Sequence, residues 1–174
     1  MKLVWALVFL AGCAMVTTPA DSRSVFKPPE EFLEARNAML QVCPGCGDPE
    51  YSPDGSYAGW GMVRTGGPVV TTNPRNDSLL RDRYGEDGLV GLYDHEMGHI
   101  ISLHFAPELS EDARKKEWEM ASDRWAGCLL NAEGRRPDGF AAFLFGEGRW
   151  GYESHPDAPD RVPLVLAGWM SCGR

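Results

Sequence analysis

The chain has 174 residues and a net charge of −8, and 43% of it is hydrophobic, with 6 Trp, 7 Phe and 5 Tyr. That is enough apolar material for a real core in one domain of ordinary size. The negative charge, with no basic patch carrying interleaved aromatics, argues against a nucleic-acid partner. No apolar run reaches the roughly 18 residues that a spanning helix needs.

The first element is a targeting segment. Met1-Lys2 carries one positive charge, Leu3 to Leu10 is almost wholly apolar, and Leu10-Ala11-Gly12-Cys13 follows. A short apolar stretch ending in small residues reads as a secretory signal. Leu-Ala-Gly-Cys resembles the lipobox of bacterial lipoproteins, which implies a lipidated Cys13 as the first mature residue. Each acyl methylene buried in a bilayer contributes about 0.8 kcal/mol, so two chains anchor stably. Ala14 stands where inner-membrane lipoproteins of enteric bacteria carry aspartate, which favours the outer membrane. The expected location is therefore the bacterial cell envelope, facing the periplasm and attached through Cys13. Ordinary secretion after Thr18-Pro19-Ala20 is the competing reading. Residues 1–20 are assigned to the leader and tether start, and residues 21–174 to a single domain.

Of 5 cysteines, removal of Cys13 leaves Cys43, Cys46, Cys128 and Cys172. Four cysteines in an exported chain point to structural disulfides, with three possible pairings. Cys128–Cys172, tying the tail to a core helix, is one hypothesis. Cys43-Pro-Gly-Cys46 has redox spacing without a surrounding βαβ pattern. A second zinc site remains open, although the gaps to Cys128 and Cys172 exceed those of a zinc ribbon.

Residues 22–29 suit a tether. Residues 29–42 predict a helix, with Pro29 at its start, acids in its first turn, and Phe32, Leu33, Met39 and Leu40 on one side. Residues 43–55 are dense in Gly, Pro and Asp and predict a loop. Residues 58–65 and 68–72 flank Gly66-Gly67, a hairpin signal. Its strand either pairs with an extended peptide by β-augmentation or serves only as scaffold. Residues 73–85 read as turn-rich.

Residues 88–105 predict a helix, with Leu89, Leu92, Tyr93, Ile100 and Leu103 at helical spacing and Pro107 as its stop. It contains His95-Glu96-Met97-Gly98-His99. Two histidines four apart lie on one helix face, where both can reach one zinc ion. Glu96 then lies beside the metal, placed as general base for a zinc-activated water. The plainer reading is a core helix with two hydrogen-bonded histidines.

Zinc chemistry needs a third protein ligand. A histidine six residues after the second would be metzincin-like, but that position is Phe105, and His104 points elsewhere. The next helix is predicted to open near Ser110 as N-cap, with Glu111 and Asp112 behind it, and to stop at Gly134. Glu119, Asp123, Ala126 and Leu130 share one face there, so two acids turn inward. Glu119 would bind the metal and Asp123 would accept the free ring N–H of a ligating histidine. The alternative is a solvated face whose acids pair with Lys115, Lys116 and Arg124.

HEMGH, followed by E-x-x-x-D-x-x-A, resembles a gluzincin, most closely the family of the CAAX prenyl protease and the HtpX heat-shock protease. Ser154-His155-Pro156 with Arg161-Val162 is similar to the Ser/Thr-His-Pro…Arg-Ile/Val signature that closes that catalytic domain. The ligand helix also resembles that of YpfJ-type neutral zinc metallopeptidases. The resemblance covers residues from about 90 to 165. It implies zinc at His95, His99 and Glu119, Glu96 as base, Asp123 behind His95, and His155 or Arg161 as oxyanion donors. This sequence lacks the family's transmembrane helices and carries Ser122 where Ala usually precedes the aspartate. Residues 138–145 and 163–170 predict short packing helices, the second with Trp169 buried.

The expected fold is α+β: a mainly helical zincin-like domain with a small antiparallel sheet beside the active-site helix. The expected activity is zinc-dependent cleavage of peptide or unfolded protein substrates. A non-catalytic zinc-containing assembly factor and a hydrolase of peptidoglycan cross-links are the alternatives.

Overall fold

The computed structural model describes residues 27–53, 61–64, 67–110, 114–147 and 155–172. The leader, Cys13, Glu111, Asp112 and Ser154 lie outside these residues. The described fold is mostly helical with a small sheet, in the order α1 (Glu30–Val42), β1 (Glu50–Ser52), β2 (Gly61–Arg64), β3 (Pro68–Thr71), α2 (Pro74–Phe105), a 3₁₀ turn (Pro107–Ser110), α3 (Lys115–Ala132), α4 (Asp138–Glu147) and α5 (Ala158–Ser171). None of the described helices is long and apolar enough to cross a membrane.

Helix α1 follows Pro29, whose φ of −64° sets the entry, and carries Glu30 and Glu31 in its first turn. Acids there complement the helix dipole. Phe32, Ala35, Ala38 and Met39 are its buried face, the helical spacing expected of a core-facing stripe. Leu33 and Leu40 pack against that core from its margin.

The sheet departs from expectation in one strand. β2 pairs antiparallel with β3 in the register Gly61–Thr71 to Arg64–Pro68. β1 pairs with the other edge of β3 in parallel, from Glu50–Val69 to Ser52–Thr71. The predicted antiparallel sheet is therefore mixed, because part of the presumed loop 43–55 returns beside β3. The sheet leans on α2 through a buried polar chain. The Tyr93 hydroxyl donates to Asp77 at 2.9 Å, and the Thr72 hydroxyl, just after β3, donates to the same carboxylate at 3.3 Å and lies 3.0 Å from that of Tyr51.

Residues 73–85 are the larger correction. They form the first turns of α2 rather than a run of turns. Asn73 is its N-cap, accepting from the Arg75 amide at 3.1 Å, and Pro74 takes the first position. Both are helix-start signals, and Leu80 is buried on the inner side. The helix breaks at Gly85, where φ is 74°, a conformation that glycine adopts without steric cost. The segment that carries His95 and His99 runs from there to Phe105.

Helix α3 also begins later than predicted. Ser110 closes the 3₁₀ turn by donating to the Pro107 carbonyl at 2.8 Å, and Arg114 flanks the start of α3. Its end is as expected. Gly134, at φ 75°, donates to the Asn131 carbonyl, and Arg135 donates to that of Leu130, the Schellman pattern that satisfies terminal carbonyls. Arg135 then holds Glu34 at 2.7 Å and also pairs with Glu86 and Asp87, joining α1, α2 and the end of α3.

Helix α4 lies on α2, with Phe140 against Gly91. Helix α5 starts at Ala158, earlier than the predicted residue 163, and carries Pro163 inside it. It crosses α3 so closely that a Cβ on Gly127 would meet the Val165 carbonyl oxygen at 1.9 Å. Trp169, expected to be buried, is only partly so, and its indole donates to the Arg135 carbonyl at 2.8 Å. Around Tyr93, Leu89, Met97 and Ile101 of α2 the core draws on Phe32 and Met39 of α1, Leu129 and Leu130 of α3, and Phe140 and Leu144 of α4.

The four remaining cysteines form Cys43–Cys46 and Cys128–Cys172. The second spans 44 residues and joins α3 to the end of α5. In the chain-entropy picture that crosslink is worth about 4 kcal/mol, against about 2 kcal/mol for a loop of four residues.

Candidate metal centre

His95 and His99 project from one face of α2, and Glu119 and Asp123 from the facing side of α3. The two helices can approach because position 98 has no side chain. A Cβ on Gly98 would lie 2.5 Å from the Ser122 carbonyl oxygen. Trp118 completes the contact, donating from its indole to the His99 carbonyl at 3.2 Å, with its ring edge-on to the imidazole.

The result is a closed cluster. One ligand atom from each of His95, His99 and Glu119 lies within 4.8 Å of the others. Glu119 Oε2 is 3.2 Å from His95 Nε2, and its Oε1 is 3.5 Å from His99 Nε2. Glu119 is 8% exposed and Asp123 0%, so the solvated-face alternative does not describe these acids. Glu117 is exposed and pairs with Arg114 at 2.9 Å.

Each imidazole is held from behind. His95 Nδ1 is 2.9 Å from Asp123 Oδ1. Arg161, arriving from α5, clamps that carboxylate with two hydrogen bonds, 2.7 Å from Nε and 2.8 Å from Nη2. His99 Nδ1 is 2.7 Å from the Ser122 hydroxyl, which donates its own hydrogen to the Trp118 carbonyl at 2.9 Å. With its hydrogen on the Trp118 carbonyl, the Ser122 oxygen is free to accept from His99, the arrangement that goes with a His99 proton on Nδ1. Ser122, Trp118 and Gly98 are the residues that the sequence reading missed. Ser122 was noted only as a departure from the family's alanine, yet it stands three residues after Glu119 on the inward face.

With its Nδ1 committed, His99 Nε2 is a lone-pair acceptor facing the Glu119 carboxylate, and His95 Nε2 faces the same group. Glu119 Oε2 is buried, with His95 Nε2 at 3.2 Å and His155 Nε2 at 3.4 Å as its nearest ring nitrogens. Two ring nitrogens and a carboxylate this close share either a proton or a cation, because burial leaves the carboxylate few other partners. Two imidazoles and one carboxylate are a donor set that zinc accepts, so the residues fit a zinc ion.

Burial and mutual proximity set the charge of each group. Burial opposes a proton on His95, but the Asp123 and Glu119 carboxylates outweigh it and raise the pKa to about 10. Burial and the positive charge of His95 drive His99 down to about 3. Burial alone would raise Glu119, yet contact with His95, His99 and His155 holds it at about 2. Asp123 is likewise low, burial being overcome by its bonds to His95 and Arg161. Glu96 is pushed up to about 7 by burial and by Glu119, with His95 and Arg161 opposing.

The two remaining candidates sit differently. His155 is 41% exposed and its Nε2 is 3.4 Å from Glu119 Oε2, on the open side of the cluster. Burial and the positive charges of Arg161 and His95 lower its pKa. Beside it, Lys116, Met120, Pro156, Asp157 and Asp160 line a depression. Arg161 is buried, committed to Asp123, and 3.8 Å from Glu119 Oε2. No family model, no curated protein and no solved structure matches the chain.

Proposed function

We propose that the protein is a zinc-dependent metalloendopeptidase acting on peptide or unfolded protein segments outside the cytoplasm. The observation that carries this reading is the convergence of His95, His99 and Glu119 with Glu96 beside them. Zinc held by those three residues would supply Lewis-acid polarisation of a scissile carbonyl and make a water more acidic.

Glu96 accepts the proton of the attacking water and returns it to the amine nitrogen as the C–N bond breaks. Asp123 and Ser122 keep both ligating rings in the Nδ1–H tautomer, leaving each Nε2 lone pair directed inward. Arg161 fixes the Asp123 carboxylate and is a positioning residue. His155, on the open side of Glu119, is placed to donate to the oxyanion as the carbonyl becomes tetrahedral. The neighbouring depression leaves room for a substrate segment. The resemblance to the CAAX prenyl protease and HtpX family agrees with these roles. The lipobox reading of Cys13 would put the enzyme at the outer membrane.

The decisive comparison is between the protein and its Glu96→Gln variant, both assayed for zinc content and for cleavage of an unfolded protein. Each should bind one zinc at His95, His99 and Glu119, and the variant should lose at least about 10²-fold in turnover, the usual contribution of a positioned base. Zinc in both and cleavage by neither would favour the non-catalytic assembly factor. Absence of zinc from both would overturn the site.

A further inference from the structure

The Cys43-Pro-Gly-Cys46 turn has a third member that its sequence neighbourhood does not show. His104, in the last turn of α2, brings a ring nitrogen to within 4.8 Å of both sulfurs. The ring lies over Gly45, where a Cβ would stand 3.5 Å from His104 Nε2, so no side chain separates it from the turn. Cys43 is buried, Cys46 is partly exposed and His104 is exposed.

The disulfide is a curious staple. It joins residues three apart that are already joined by the Cys46 amide donating to the Cys43 carbonyl at 3.1 Å. It ties no element to another. The same two sulfurs with His104 would connect the end of α1 to the end of α2. C-x₂-C is also a zinc-ligand spacing.

We propose that reduction of Cys43–Cys46 opens a second metal site, in which Cys43, Cys46 and His104 bind a thiolate-seeking d¹⁰ cation such as zinc. An external dithiol supplies the two electrons. Its thiolate attacks Sγ of Cys46, the less buried of the two cysteines, forming a mixed disulfide and releasing the Cys43 thiolate. The second thiol of the reductant displaces Cys46 and leaves as the oxidised dithiol, so the protein gains two protons with the two electrons. The cation then displaces the thiol protons. Two thiolates on one tetrahedral zinc stand roughly 3.8 Å apart, from a Zn–S distance of about 2.3 Å. The turn must open to that separation, and the exposed His104 ring can follow it. Three protein ligands leave a fourth position for water or a partner's ligand. The site is independent of His95, His99 and Glu119.

The test titrates cobalt(II), as a spectroscopic substitute for zinc, into the oxidised and dithiol-reduced full chain. The reduced protein should bind one more equivalent than the oxidised and show thiolate-to-cobalt charge-transfer absorption. That absorption should vanish in the Cys43→Ser/Cys46→Ser variant, and affinity at this site should fall at least tenfold in His104→Ala. Equal binding by the two redox forms overturns the proposal. So does charge transfer that survives the double serine variant, which would assign it to Cys128 and Cys172, or undiminished affinity in His104→Ala. Because the readout is the increment on reduction, its loss is distinct from loss of the first site, which removes an equivalent from both redox forms.

Discussion

Ser122→Ala isolates the least conspicuous part of the candidate metal centre. The substitution deletes one oxygen that accepts from His99 Nδ1 at 2.7 Å and donates to the Trp118 carbonyl at 2.9 Å. Ser122 is 0% exposed and His99 6%, so water cannot readily replace the hydroxyl. The imidazole then gains by moving its proton to Nε2, the nitrogen that faces Glu119. Loss of the group behind a ligating histidine lowers metal affinity by about ten- to a hundredfold, or about 1.4 to 2.7 kcal/mol. Global stability should fall by only about 1 kcal/mol, the net worth of one such bond, since alanine is the better helix former. Competition with a chromophoric chelator gives the affinity, and long-range ¹H–¹⁵N spectra of the imidazoles give the tautomer. Zinc affinity within twofold of wild type, with His99 still protonated on Nδ1, would refute the assignment of Ser122.

His155→Gln should lower kcat by about 10²-fold, near 3 kcal/mol of barrier, with zinc content and thermal midpoint unchanged. An equal loss of zinc would make His155 a ligand instead. Glu133 gives a pH prediction. Burial, reinforced by Glu34 and Asp87 and opposed by Arg135, raises its pKa from 4.5 to about 8. A carboxyl raised on folding keeps its proton in the native state after the unfolded chain has lost it. Its stabilising effect is therefore full below about pH 4.5 and is lost as pH rises towards 8. Across that window stability should fall by up to about 1.4 kcal/mol per pH unit on this account. Glu133→Gln should flatten the slope in urea denaturation between pH 5 and 8; an unchanged slope would remove Glu133 as its source.

The parts of the site legible in the sequence are those set by one helix at a time. His95 with His99, and Glu119 with Asp123, are four residues apart, and helical periodicity alone puts each pair on a shared face. The contribution of Ser122 was not legible, because its effect depends on which imidazole of another helix lies opposite. Gly98 shows the same limit: only the crossing of α2 over α3 reveals why position 98 carries no side chain. In the fold, a count of polar and turn-forming residues misled at 73–85, where the Asn73 cap and Pro74 outweigh it and Gly85 alone makes the break. β1 was missed because a three-residue strand in a Gly- and Pro-rich stretch has no alternation to read, and its partner is 19 residues on.

Helix α5 shows that fold and site depend on different bonds at the same crossing. The Arg161 clamp on Asp123 and the Cys128–Cys172 disulfide both join α5 to α3. The disulfide acts chiefly on the unfolded chain. Cys128→Ser/Cys172→Ser should cost up to about 4 kcal/mol in unfolding free energy yet leave the zinc affinity of the folded protein unchanged. Arg161→Ala acts on the native state. It leaves the fully buried Asp123 carboxylate facing His95 alone, and breaking a buried pair costs about 3 to 5 kcal/mol. It also frees the group that orients His95, so zinc affinity must fall together with stability. Measuring both quantities in both variants separates the two links. If the serine variant loses zinc affinity while folded, the disulfide positions the ligands. If Arg161→Ala retains full affinity while folded, Asp123 needs no clamp to hold His95.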